Sequence, residues 1–319
     1  MLEQISRNRR ASWLLMVVVV AILTALGYAI GLAWTGTNGG GIGFLGLFGI
    51  AAISWSLVAF YAGDKMALGV SGARRISHDE EPRLWNVVEE MTIAGGLGKP
   101  PDVYVINDPA PNAFATGRDP AHSSIAVTRG LLDKLNRDEL QGVVAHEMAH
   151  VRNYDIRFAT LIGVLVGLIA LVADLFLRAR WFGLGGRRSG DGNSGAGVLF
   201  LVVALVFAIV APLAARVVQF AISRRRELLA DGTAVQLTRN PLGLAGALQK
   251  IADDPSRLRA GNRATAHLYI VNPLRKTRDR AGVFDTHPPI GQRIDLLLGM
   301  ARGQGSARVT TEEDAPAVD

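Results

Sequence analysis

His146-Glu147-Met148-Ala149-His150, led in by Asp138-Glu139-Leu140-Gln141-Gly142-Val143-Val144-Ala145, is the stretch on which the reading of this chain turns. Two histidines four residues apart lie on one helix face, one turn apart, so both rings can reach a single ion. Glu147 sits beside them, where its carboxylate can polarise a water rather than ligate. Leu140, Val143 and Val144 give the same helix an apolar face. Zinc is the ion expected, one per chain, because imidazole and carboxylate suit it and it makes water acidic enough to ionise near neutral pH. The competing reading is a helix with two surface or core histidines and no metal.

A catalytic zinc needs a third protein ligand and an open fourth position. Glu227 is the best placed. It opens a second expected helix after Arg224-Arg225-Arg226, in Arg226-Glu227-Leu228-Leu229-Ala230-Asp231. Asp231 falls on the same face, where it can accept a hydrogen bond from a ligand imidazole and fix its tautomer. Taken without the histidine pair, Glu227 would be a partner of the arginines and Asp231 a surface acid. The chain has no cysteine, so disulfides and thiolate ligands are excluded and any metal is held by histidine and carboxylate.

Working outward, the chain is greasy for a soluble domain: of 319 residues, 49% are hydrophobic and 19% charged. Ala11 to Trp34 carries no charge and is long enough for a bilayer core, which takes roughly 20 helical residues. Its basic start, Arg7, Arg9 and Arg10, also fits a signal peptide. The run exceeds an ordinary signal core, however, and a second run, Gly41 to Gly63, follows after a short glycine-rich turn, so an uncleaved anchor is expected. Two more runs, Phe158 to Leu177 and Val198 to Val218, flank a Gly/Arg-rich loop. The net charge of +6 fits anchoring at an anionic membrane surface. The positive-inside rule puts the polar regions in the cytoplasm, although Arg178, Arg180, Arg187 and Arg188 would then break it if runs three and four both span.

The expected architecture is mainly α: membrane helices joined to a zincin-like α+β catalytic domain with a small sheet. Residues 1–63 form a membrane hairpin and 64–157 the first part of the catalytic domain. Residues 158–222 hold runs three and four, 223–305 the second part of the catalytic domain, and 306–319 an acidic tail expected to be disordered. Strand signals lie at Val103 to Ile106 and Ser123 to Thr128, with helical stretches near Pro82 to Gly95, Arg224 to Leu237 and Leu242 to Ala252.

The His146–His150 motif, followed by Val151-Arg152-Asn153-Tyr154-Asp155, resembles the HtpX-type heat-shock membrane proteases. More broadly it is similar to the membrane gluzincins that include the CAAX prenyl endopeptidase. Asn112-Ala113-Phe114-Ala115, Ala264-Thr265-Ala266-His267-Leu268 and Thr286-His287-Pro288-Pro289 with Arg293 match as well, and the Glu227…Asp231 spacing agrees with that family's third ligand and supporting acid. The resemblance covers most of the chain; the Gly/Arg loop and the tail after Ser306 fall outside it.

The resemblance implies a zinc endopeptidase in a bacterial cytoplasmic membrane, acting on polypeptides such as misfolded or damaged membrane proteins. It implies that Asn112, Ala113, Phe114 and Ala115 line the substrate cleft. It also implies that Ser123 to Val127, with Ser124, Ile125 and Ala126, form an edge strand onto which substrate adds. His287 and Arg293 would donate to the oxyanion; otherwise His287 caps a turn before Pro288 and Arg293 pairs with an acid. His78, His122 and His267 read as surface or structural. The rival functions are a non-proteolytic metal-binding adaptor, for which Glu147 has no use, and a channel, for which the runs hold only one acid, Asp174. Nucleic-acid binding lacks the aromatic-basic interleaving it needs, so no nucleic-acid partner is expected.

Overall fold

A computed structural model of the chain describes residues 2–165, 224–259, 265–271 and 288–313. It divides into two compact units: Met1–Met66 with Arg157–Ala221, and Ala67–Ile156 with Ile222–Asp319.

In the first unit, α1 (Leu2–Thr35) and α2 (Asn38–Val70) are the helices long and apolar enough to cross a membrane among the described residues. They pack closely: a Cβ on Gly31 would lie 2.5 Å from the Gly40 carbonyl oxygen, so only glycine permits that approach. Trp13 stacks on Phe60, and the Arg157 guanidinium lies over the same Phe60 ring, 5.3 Å from its centroid. Beyond residue 165, run three and all of run four lie outside the described residues, as does the Gly/Arg loop between them.

The second unit is a four-stranded sheet packed against helices. Its strands are β1 (Ala73–Arg75), β2 (Asp102–Ile106), β3 (Ala113–Asp119) and β4 (His122–Thr128), ordered β1-β2-β4-β3. β2 and β4 run parallel; the other two pairings are antiparallel. Val103, Val105, Ala113, Ala115, Ile125 and Val127 turn one face into the core. There they meet Leu84, Val87 and Val88 of α3 (Pro82–Ala94) and Leu140, Val143, Val144 and Met148 of α5 (Arg137–Arg152). A short α4 (Arg129–Lys134) links sheet to α5, capped by the Thr128 side chain.

Two further helices complete the unit from the C-terminal half: α6 (Arg224–Thr238) and α7 (Pro241–Asp253). α7 crosses α5 at a glycine pair. A Cβ on Gly142 would sit 2.6 Å from the Leu244 amide nitrogen, and one on Gly243 2.6 Å from the Asp138 carbonyl oxygen, so neither position has room for a side chain. The last helix, α8 (Ile290–Glu313), packs Leu297 into the core with Ile294 and Leu298 beside it. It runs past Ser306, where composition predicts a disordered tail. The first proline after Ile290 is Pro316, so nothing between forces the helix to stop.

Sheet order corrects one expectation. Ser124, Ile125 and Ala126 lie on β4, which has β2 on one side and β3 on the other. A central strand has no free ladder side to offer an extended peptide, so the edge in this region is β3.

Candidate metal centre

The site is built first on α5, whose start is pinned by a reciprocal cap. The Asn136 side chain accepts from the Glu139 amide and the Glu139 carboxylate accepts from the Asn136 amide. Lys250 of α7 holds the same Glu139 at 2.7 Å. From that cap the helix carries His146 and His150 to one side, one turn apart. Their Nε2 atoms face each other at 3.2 Å.

α6 brings Glu227 to the same point. Its Oε2 is 3.7 Å from His146 Nε2 and its Oε1 3.5 Å from His150 Nε2. Donors at about 2.1 Å from a tetrahedral ion stand about 3.4 Å from one another. The three separations here straddle that value, so the residues fit a zinc-sized ion held by two imidazoles and a carboxylate. His146 is buried completely and Glu227 is 5% exposed, so one ion would be enclosed on the protein side.

Each histidine is held from behind by a carboxylate. His146 Nδ1 lies 2.9 Å from Asp231 Oδ1, one turn beyond Glu227 on α6. His150 Nδ1 lies 3.1 Å from Asp155 Oδ2, in the segment just after α5. Both contacts put a carboxylate on Nδ1, so each ring with Nε2 unprotonated turns that lone pair toward the common point. Burial lowers the pKa of His146, so that ring stays neutral. For His150 burial opposes protonation, but the Asp155 hydrogen bond and the charges of Glu227, Asp155 and Glu147 outweigh it and raise the pKa to about 9.

Arg293 is held by an acid. It is 1% exposed, and its Nε and Nη2 grip Asp231 at 2.8 and 2.6 Å while Nη1 donates to the Ile270 carbonyl at 3.0 Å. The bidentate fork puts the guanidinium beside Asp231, with Nη1 also 3.6 Å from Oε2 of Glu227. That fork pulls the Asp231 pKa down to about 2 against the penalty of burial. His287 lies outside the described residues.

Glu147 is 2% exposed. Burial raises its pKa to about 7, with the charge of Glu227 adding to the effect; His150 and a hydrogen bond from the Ala115 amide act the other way. A carboxyl poised near neutrality can both take and return a proton. Its link to Ala115 ties the motif helix to β3.

The strand segment expected to line a cleft is largely covered. Ala113, Phe114 and Ala115 are buried and Asn112 is 4% exposed. Residues 265–271 lie along the start of β3: the Ile270 amide donates to the Ala113 carbonyl at 2.9 Å, and the Asn112 side-chain amide donates to the Val271 carbonyl at 2.9 Å. Tyr269 packs edge-on against Phe114. Asn112, Ala113 and Phe114 thus seat this segment, and Ala115 is the residue that meets the catalytic carboxylate. Asp155 was not singled out from spacing; an acid five residues past the second histidine is off the helix face that periodicity reads. His122 pairs with Asp119 at the β3–β4 turn and His267 is buried.

Residues 78–301 match the model of peptidase family M48. The chain belongs to that family. A protease HtpX homolog of Caldanaerobacter subterraneus subsp. tengcongensis is 44% identical over 92% of this chain and 96% of its own length. A protease HtpX homolog of Streptococcus gordonii is 40% identical over 93% and 99%. The crystal structure of S. mikatae Ste24p is also similar, with 16% identity and a TM-score of 0.47 over 93% of this chain and 67% of that one. Family and converging ligands together make this M48 member a membrane metalloprotease.

Proposed function

We propose that the chain is a zinc endopeptidase of a bacterial cytoplasmic membrane, with its site on the cytoplasmic side, that cleaves misfolded or damaged membrane proteins. The observation that carries the peptidase reading is the convergence of His146, His150 and Glu227 donors at 3.2 to 3.7 Å, with Glu147 next to them. When bound, zinc acidifies a water and polarises the scissile carbonyl. Glu147 takes the proton from the attacking water and returns it to the leaving amine. Asp231 keeps the His146 ring in the tautomer that ligates. An extended substrate would pair with the edge of β3 beyond the part covered by residues 265–271. Backbone pairing of that kind tolerates many side chains, which suits a protease of damaged proteins. The 40 to 44% identity to HtpX homologs supports the same reading.

The test is to purify wild type and Glu147→Gln in detergent and measure bound zinc and casein cleavage. Wild type should hold about one zinc and cleave; the variant should hold zinc and lose cleavage by a factor of about 10² to 10⁴. Wild type without metal under zinc-replete conditions would overturn the assignment.

A further inference from the structure

We propose that Asp155 is the positioning residue of the His150 ligand, and that its pairing with Arg226 ties the His150 ring and the Glu227-bearing helix to one metal position. The inference rests on the zinc-peptidase reading and adds residues which that reading does not use.

Four observations carry it. Asp155 Oδ2 lies 3.1 Å from His150 Nδ1, while its other oxygen, Oδ1, lies 3.8 Å from Arg226 Nη1. Both residues are 8% exposed, so the pair is shielded from the water that weakens surface ion pairs. Arg226 immediately precedes Glu227, so whatever holds Arg226 also sets where the third ligand enters. Finally, the chain bends unusually to bring Asp155 there. α5 ends at Arg152 with Asn153 as its cap, and Tyr154 takes φ 59, a left-handed conformation that bulky residues rarely adopt. Such strain persists where the surroundings over-determine it. Its result here is a reversal that turns Asp155 back toward the ring of His150.

The arrangement repeats the logic on the other ligand. His146 leans on Asp231, which Arg293 of α8 grips. His150 leans on Asp155, which Arg226 of α6 approaches. In each case the arginine comes from a different element from the ring, so the acid is fully held only when those elements are assembled. A histidine held at Cβ alone can turn about its side-chain bonds; a carboxylate on Nδ1 removes that freedom and makes Nε2 a better donor.

The experiment uses the full chain in detergent and compares wild type, Asp155→Asn, Asp155→Ala and Arg226→Ala. Zinc affinity is measured by chelator competition, and cobalt-substituted protein by its visible absorption. Asparagine keeps an acceptor for the ring proton but loses the charge, so its affinity should fall several-fold. Asp155→Ala should lose about 10- to 100-fold. Both should alter the cobalt spectrum, and kcat should fall more than KM rises. Arg226→Ala should resemble Asp155→Asn, and combined with Asp155→Ala should add little, because the two act on one ring. If Asp155→Ala does not fold, Asp155→Asn, close to isosteric, decides. Wild-type zinc affinity and cobalt spectrum in the Asp155 variants, with only a lower melting temperature, would overturn the proposal and leave the peptidase reading standing. A wild-type chain that binds neither zinc nor cobalt would overturn both.

Discussion

Replacing Arg293 with leucine should destabilise the catalytic unit and loosen the metal, and should not produce a folded, zinc-loaded enzyme with slow chemistry. The structure sets the size of the effect. Asp231 is 3% exposed, and its pKa is about 2 instead of the ordinary 3.8. At about 1.36 kcal/mol per pH unit, that depression corresponds to about 2.4 kcal/mol of stability. The sign follows from the direction: a lowered carboxyl pKa contributes fully above 3.8 and is lost as pH falls through about 2, so at neutral pH the whole contribution is present. Without Arg293 the carboxylate stays buried with the His146 ring left as its partner, and removing one member of a buried pair costs about 3–5 kcal/mol. At about 2–4 °C per kcal/mol for a domain of this size, the melting temperature should drop by about 10 °C. The deficit should shrink as pH approaches 4, where Asp231 without its arginine takes up a proton. Arg293→Lys, which keeps the charge but not the two-pronged fork, should fall between. Tryptophan-fluorescence melting in detergent, with and without zinc, and metal content after dialysis are the assays. A leucine or lysine variant that melts with wild type, keeps its zinc and loses about 10²- to 10³-fold in kcat would refute the reasoning and make Arg293 an oxyanion donor.

Stripped of metal, the chain should become less stable as pH rises from about 4.5 to about 9. The folded values of Glu147, about 7 against 4.5, and His150, about 9 against 6.5, are both raised, so the folded state keeps protons the unfolded state gives up. The Glu147 part is complete below 4.5 and gone above about 7; the His150 part is complete below 6.5 and gone above about 9. Melting of chelated protein at pH 6, 7.5 and 9 checks this, and a midpoint that climbs across that range contradicts it. Glu227→Ala should leave the fold in place and abolish stoichiometric zinc, since two imidazoles alone lack the third ligand; retention of one tightly held zinc per chain would mean another residue ligates. Asn112→Ala should loosen residues 265–271 by removing the bond to the Val271 carbonyl, at a cost of about 1–3 kcal/mol. Faster amide exchange at Ile270 is the readout, and unchanged exchange would show that the segment is held by other contacts.

What could be read from sequence follows how local each feature is. His146, Glu147 and His150 are related by one helix turn, a spacing that needs no tertiary information. The same holds for Glu227 and Asp231, four apart on α6. β2 and β4 are legible because Val103 to Ile106 and Ser123 to Thr128 alternate or run apolar. β3 is not: Ala113-Phe114-Ala115-Thr116-Gly117 is small, interrupted by glycine and without clear alternation. Strand order is beyond periodicity in any case, since alternation reports which face is buried and says nothing about neighbours. The edge position of β4 is an expectation of the family resemblance, and its pairing with both β2 and β3 puts it in the middle.

Arg293 and Asp155 lie at the far end of that scale. A buried arginine near a metal motif suits an oxyanion donor or an acid's partner equally well by chemistry; the acid it meets, Asp231, comes only with the approach of α8. Asp155 depends on Tyr154 adopting a left-handed turn that its side chain disfavours. The two histidines are therefore local, while the third ligand and most of the groups that aim the rings are brought in from elsewhere in the chain. Asp231 and Arg293 come from α6 and α8, and Arg226 precedes the third ligand on α6. α5 alone supplies two nitrogens and a base but has no means of fixing the His146 tautomer. Metal affinity should accordingly report assembly of the two halves of the catalytic unit. A chain in which α6 or α8 fails to dock would retain the motif and lose the site, and with it any capacity to cut.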